Sequence, residues 1–339
     1  MSSPAPAWAP IFRWAPIIET LTKKQRFVIS SHLNPDCDAL GSELALAYLL
    51  LQQDKDVAII NADPIIADYQ FLDPDQLIQL YTDSAISTIA QADVIIVLDA
   101  SGGWHRLGIV GQAFNRAKMN AVSICIDHHP NEDPFTDLAF IDTNVIATGE
   151  LIFDLITEMQ GHLTPIMAQA LYAAILTDSG SFRFPKTSPH THRVIASLVD
   201  AGANPSLIYN LLYQQQSLSK IQLKGYVLQN IQLAADGQVA YVSLDFATLS
   251  RYGIDPLDLN AFSNLAEEIK GVRIAIFAVE LADRRIKLSL RSDGSVAVNT
   301  LAAQFGGGGH APAAGATVTG SLPQVLNQIV AKAGRLVLK

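Results

Sequence analysis

His32, Asp36 and Asp38 fall within seven positions of the stretch SHLNPDCDALGS (residues 31–42), which runs on into an apolar, helix-like segment. Such a loop can be no more than a turn whose Asp or Asn caps the following helix. The spacing His-x-x-x-Asp-x-Asp nevertheless gathers one imidazole and two carboxylates on a tight loop after an apolar strand. That donor set suits Mn2+, Mg2+, Fe2+ or Zn2+ better than soft ions. Three further places carry similar chemistry. Asp99 ends the apolar run in VLDASGGWHRLG (97–108), Asp127-His128-His129 follows another in IDHHPNED (126–133), and Asp178 stands between an apolar segment and a glycine in AILTDSGSFRF (174–184). Taken singly, Asp99 reads as a turn residue, and Asp178 with Gly180 as a helix C-terminal turn. Adjacent histidines after a strand have little purely structural use.

The elements that must position these groups are readable from periodicity. Strands are expected at RFVIS (26–30), VAIIN (57–61), VIIVLD (94–99) and VSICID (122–127), with helical stretches between them. Near-continuous apolar strands of this kind form a parallel sheet covered on both faces. The first, third and fourth end at the candidate ligands, and ligands of open α/β sheets bind at the carboxyl ends of strands. Thr164-Pro165, Ser188-Pro189 and Asn204-Pro205 each set a capping residue before a first-turn proline, which starts helices over roughly 165–177, 189–201 and 205–215. Another helix is expected near 218–232. After Asp236-Gly237 the pattern restarts, with strands at 238–245, 272–280 and 285–292 and helices at 256–270, 298–305 and 322–334. The fold class expected is therefore α/β: an N-terminal parallel-sheet domain with flanking helices (1–215), a helical linker (216–236) and a smaller α+β C-terminal domain (237–339).

Composition narrows the function classes. The 339 residues are long enough for two domains, and 49% hydrophobic with 16% charged residues excludes a disordered chain. A net charge of −9 argues against tracking long nucleic acid by blanket phosphate neutralisation, but leaves room for a small anion held by local cations. Two cysteines, Cys37 and Cys125, are too few for a disulfide scaffold and fit a reducing cytoplasm. No signal peptide and no membrane span is expected, because the apolar runs fall far short of about 20 residues.

In chain order the segments SHLNPDCDALGS, VLDAS, DHHP, TDSGSFRF and GGGGH resemble the motifs of the DHH phosphoesterase superfamily with its DHH-associated C-terminal domain. The triplet for which the superfamily is named stands here as Asp127-His128-His129. Within it the chain is similar to the nanoRNA and pAp phosphatases. The resemblance implies two divalent ions, Mn2+ being the ion usually expected, with His32 and Asp36 on one, Asp38, His128 and Asp178 on the other, and Asp99 bridging. The two ions then share a water that becomes a bridging hydroxide. His129 is implied as a phosphate donor or leaving-group acid beside the catalytic Asp99, and Asp127 as a carboxylate that orients its neighbours.

In the same family the loop matching Gly307, Gly308, Gly309 and His310 holds the substrate, and a position matching Arg291, here followed by Ser292, grips phosphate. Arg183 and Arg106 are further candidates for that work. The implied activity is hydrolysis of short 5′-phosphorylated oligoribonucleotides or linear dinucleotides such as pApA to mononucleotides, removal of phosphate from pAp, or both. Closure between the two domains is expected to control access. Alternatives are a pyrophosphatase or polyphosphatase with the same metal motifs, or a nucleotide-binding regulator without catalysis, which the six filled ligand positions disfavour. The implied partner is a small nucleotide, with no long nucleic acid and no membrane; the oligomeric state is open, a homodimer included.

Overall fold

The computed structural model of the chain describes residues 14–130, 135–309 and 311–338. The chain divides into two compact units, Met1–Gln215 and Gln216–Lys339. The first begins with α1 (Ala15–Lys23), β1 (Arg26–Ser30), α2 (Cys37–Leu51), β2 (Asp56–Asn61), β3 (Ile78–Leu80) and α3 (Ala85–Ala90). It continues with β4 (Val94–Leu98), α4 (Gly108–Ala117), β5 (Val122–Asp127), β6 (Leu138–Ile141), α5 (Thr148–Glu158), α6 (Pro165–Asp178), α7 (Pro189–Asp200) and α8 (Pro205–Tyr213). Its six strands form one parallel sheet in the order β3-β2-β1-β4-β5-β6. The chain winds outward one way from β1 and then the other way from β4, so the crevice beyond the carboxyl ends of β1 and β4 is the topological switch point.

Burial on both faces explains the apolar runs. Every residue of β4 is fully buried, and α2 is buried on nearly all sides between the sheet and helices α5 and α6. Gly41 permits that packing, because a Cβ there would lie 2.4 Å from the Ala170 carbonyl oxygen of α6. The three proline helices begin where their capping pairs put them. Thr164 accepts from the Met167 N–H, Ser188 and Thr191 form a capping box, and Asn204 accepts from the Leu207 N–H.

The second unit comprises α9 (Leu218–Gln229), β7 (Gln232–Ala234), β8 (Val239–Leu244), α10 (Phe246–Tyr252), a 3-10 helix (Pro256–Glu268), β9 (Ile274–Glu280), β10 (Arg285–Ser292), α11 (Val298–Ala303), β11 (Gly308–Gly309), β12 (Ala313–Thr319) and α12 (Leu322–Val337). Its mixed sheet runs β11-β12-β10-β9-β8-β7, parallel only between β8 and β9. On one face α11 and α12 cover Ile286, Leu288 and Leu290. On the other, the 3-10 helix and α9 cover Val242, Leu244, Phe277 and Val279.

Three expectations differ from this structure. The segment expected as a helix over 256–270 is a 3-10 helix, with Leu259, Phe262 and Leu265 buried at every third position, the 3-10 repeat. The helix near 218–232 ends at Gln229, and Gln232 starts β7 instead. Its Leu223 and Val227 are buried in the second unit's core, so this helix is packed rather than strung between domains. Among the described residues no helix is long and apolar enough to cross a membrane.

Candidate functional site

The loop after β1 is built around one carboxylate with two tasks. Asp36 Oδ1 accepts from the N–H groups of Asp38 and Ala39 at 3.0 and 3.1 Å, which caps α2, while Oδ2 lies 3.8 Å from His32 Nε2. The cap thus occupies one oxygen of the side chain and leaves the other facing His32. His32 donates from Nδ1 to the Leu33 carbonyl at 2.8 Å, which aims Nε2 at Asp36 and at Asp99 Oδ2, 3.6 Å away. The Leu33 N–H in turn donates to the Arg106 carbonyl at 2.8 Å, tying this loop to the one after β4.

Asp38, on the first turn of α2, is almost wholly buried and meets the start of α5. Its Oδ2 accepts from the Thr148 N–H at 2.7 Å and its Oδ1 from the Gly149 N–H at 2.8 Å, so the positive end of that helix holds it. A side chain at 149 would crowd Asp38 Oδ1, 3.2 Å from the added Cβ. The Thr148 hydroxyl donates to Asp99 Oδ1 at 2.9 Å. Asp99 itself sits in the left-handed region at φ 54°, a strained position for a residue with a side chain, of the kind that collects at functional sites. Thr148 and Gly149 had no expected role. The only trace of them in sequence is a small Thr-Gly pair opening an apolar helix.

His128 follows β5 directly. Its Nε2 lies 3.3 Å from Asp178 Oδ2, 3.5 Å from Asp99 Oδ1 and 3.9 Å from Asp38 Oδ2, and both ring nitrogens are buried without a hydrogen bond. His32, Asp36 and Asp99 form one cluster of donor atoms within 4.8 Å of each other, and Asp38, His128 and Asp178 form a second. Asp99 touches both, because Oδ2 faces His32 while Oδ1 faces His128.

The electrostatics are those of a site short of positive charge. Burial, then Asp36 and Asp99, push the Asp178 carboxyl up to about 8. Burial and the neighbouring carboxylates also raise Asp38 well above its usual range. Burial would raise Asp99 too, yet His129 and His32 outweigh it and hold Asp99 far below its ordinary value. Against the desolvation that disfavours its charge, Asp36 and Asp99 lift His32 to about 11. An imidazole that faces three carboxylates without a hydrogen bond to any of them, with acid crowding acid, fits divalent cations and hard ligands.

Asp127 bonds its neighbour His129. It does not bond the far nitrogen of His128; its Oδ1 accepts from the His129 N–H at 2.8 Å and meets His129 Nδ1 at 2.9 Å, while Oδ2 accepts from the Ser101 N–H. Chain direction explains this, because His128 turns into the cluster and His129 folds back over the strand end. His129 Nδ1 also lies 3.3 Å from Asp99 Oδ1. Desolvation opposes its charge, but Asp127 and Asp99 raise it to about 10.

In the second unit an open groove of about 700 Å³ is lined by Gly306–Gly309, Arg291 and the small residues of β12. Arg291 donates from Nε to Asn264 Oδ1 at 3.0 Å. Gly307 and Gly309 are required by packing, since a Cβ on either would strike the backbone of β12 at 2.0 and 2.7 Å. Gly308 has nothing within 4 Å of an added Cβ. The Ser292 hydroxyl accepts from the Gly294 and Val296 N–H groups, and Ser289 lines the groove in its place. His310 lies outside the described residues. Arg183 is exposed with its guanidinium 5.4 Å over the Phe184 ring, and Arg106 is exposed and contributes its carbonyl.

Comparison with known proteins agrees with this geometry. The N-terminal domain of the DHH family matches residues 26–175, and the DHHA1 domain matches 236–339. The chain is also 30% identical over 307 residues to the uncharacterised protein MG371 of Mycoplasma genitalium, across 88% of this chain and 89% of that one. The chain belongs to the DHH family. As a DHH-family protein it is a phosphoesterase, a hydrolase, and the family's dependence on metal matches a cluster able to hold it. It is 29% identical to the bifunctional oligoribonuclease and PAP phosphatase NrnA of Bacillus subtilis, over 89% of this chain and 92% of that one. Among solved structures, an exopolyphosphatase-related protein from Bacteroides fragilis superposes on this DHH-family fold with a TM-score of 0.92 at 28% identity, covering 99% and 100% of the two chains.

Proposed function

We propose that this phosphoesterase uses two divalent cations, Mn2+ being the ion expected, to hydrolyse short 5′-phosphorylated oligoribonucleotides or linear dinucleotides such as pApA to mononucleotides, to remove phosphate from pAp, or both. The observation that carries this reading is that His32, Asp36 and Asp99 form one cluster and Asp38, His128 and Asp178 another, with Asp99 facing His32 through one oxygen and His128 through the other. The substrate class is supported by the name of the Bacillus subtilis relative. Such ions supply, when bound, a lowered pKa for water and neutralised charge on phosphoryl oxygens.

The chain's own residues do the rest. Asp99 faces both clusters and fixes their separation, with Thr148 holding one of its oxygens. His129, kept protonated by Asp127 and Asp99, donates to a phosphoryl or leaving oxygen. The ions are assigned to residues 1–215 and nucleotide recognition to 237–339, where Arg291, the N–H groups of the glycine loop and His310 hold the terminal phosphate. Arg183 and Arg106 stay candidates for the same anion. A cytoplasmic location is supported by two free, buried thiols. The test is turnover with Mn2+ of pAp, pApA, short 5′-phosphorylated RNAs, cyclic dinucleotides and pyrophosphate. Release of mononucleotides is expected, and exclusive turnover of pyrophosphate overturns the reading.

A further inference from the structure

The Arg291 guanidinium is fixed by groups that carry no charge. Strand alternation turns Lys287, Ser289 and Arg291 to the groove and buries Ile286, Leu288 and Leu290 on the opposite face. Arg291 donates from Nε to Asn264 Oδ1 at 3.0 Å and from Nη1 to the Leu290 carbonyl at 3.2 Å. Asn264 belongs to the 3-10 helix, and Phe262 and Leu265 on either side of it are buried in the core. The amide is therefore held by the packing of that helix and cannot follow the arginine. Neutral carbonyls at Nε and Nη1 orient the guanidinium and leave its charge whole. Among the described residues nothing else accepts from it within hydrogen-bonding distance. A carboxylate oxygen of Glu267 stands 3.8 Å from the same Nε, beyond a hydrogen bond.

Resting on the reading of Arg291 as the grip on the terminal phosphate, we infer that Asn264 is the positioning residue for that grip. It turns the Nη edge of the guanidinium towards the groove and, being neutral, does not compete with the phosphate for the positive charge. A carboxylate at 264 would hold Nε equally well and would compete. The groove takes only the terminal phosphate of the nucleotide, and the phosphorus to be attacked is left to the metal-ligand clusters.

The test is Asn264→Asp and Asn264→Ala in the full chain with Mn2+, at neutral pH, with pApA as substrate and AMP titrated calorimetrically. Asparagine and aspartate share a shape, so Asn264→Asp adds charge and little else. The KM for pApA and the Kd for AMP are expected to rise about tenfold in it, with kcat and melting temperature unchanged. Asn264→Ala, which releases Nε, is expected to raise both about threefold. In an Arg291→Gln background Asn264→Ala should change neither, because the group it positions is gone. Unmoved KM and Kd in both variants, or an Asn264→Ala effect of equal size without Arg291, overturns the inference while phosphoesterase activity remains. Should the wild type turn over no nucleotide, the functional reading fails on its own. The AMP titration then decides the role of Asn264 by the same comparison, and a wild type that binds no AMP overturns that role too.

Discussion

The ends of β1, β4 and β5, the first turn of α2 and the end of α6 crowd Asp36, Asp38, Asp99 and Asp178 around histidines, whereas the groove beside β10 sets two cations on a floor of glycine and alanine. One region is rich in side chains that bond each other and holds Asp99 at a strained φ. The other works by leaving side chains out. In the first, removing atoms should damage chemistry; in the second, adding atoms should damage binding.

The largest expected effect is at Asp99. Asp99→Ala should lower kcat/KM for the preferred nucleotide by about a thousandfold, since it faces both clusters and several kcal/mol of charge stabilisation depend on it. A variant that folds, by circular dichroism, and retains activity would remove the chemical half of the contrast. Thr148→Val keeps the amide that holds Asp38 and deletes the hydroxyl that holds Asp99. It should weaken Mn2+ affinity in a metal titration by about 10 to 100-fold.

The glycines offer an internal control. Gly307→Ala forces a Cβ to 2.0 Å from the Gly315 carbonyl oxygen and should cost about 1–3 kcal/mol in denaturant unfolding. Gly308→Ala meets nothing within 4 Å and should leave stability intact while raising KM for a short 5′-phosphorylated RNA about tenfold. Equal KM in Gly308→Ala and wild type would mean that empty space at 308 serves no ligand.

The smallest effect lies where charge is unconnected with chemistry. Asp93 accepts from the Arg26 guanidinium at 2.8 Å and from the Arg26 N–H at 3.0 Å, and these hold its carboxyl at about 2, below the ordinary 3.8. A depressed folded pKa gives stability that is present above the unfolded value and lost as pH falls from about 4 towards 2. Asp93→Asn should therefore cost no more than about 1 kcal/mol at pH 7, because the pair is solvent-screened, and nothing well below pH 2.

Legibility followed the physics of each signal. β1, β4 and β5 announce themselves because strands buried on both faces must be apolar throughout. Ser188-Pro189 announces α7 because a cap and a first-turn proline have few other uses. β12 starts with Ala313, Ala314, Gly315 and Ala316 and carries its β-branched residues, Thr317, Val318 and Thr319, only at its end, so its first half owes its strand state to pairing with β10. The edge strands β3 and β6 are too short to show a period. In the site, carboxylates and imidazoles were visible because their types are costly to bury without a purpose. Thr148 and Gly149 were not, since they act mainly through backbone amides on a carboxylate 110 positions away. Asn264 reads in sequence as an ordinary polar residue, and only the fold sets it against Arg291, 27 positions away.

The doubled use of Asp36 makes metal retention a check on folding. The carboxylate that opens α2 also faces His32, and α2 is the helix around which the sheet, α5 and α6 assemble. A copy that fails to start this helix loses, at the same stroke, one of the clusters able to hold a metal ion.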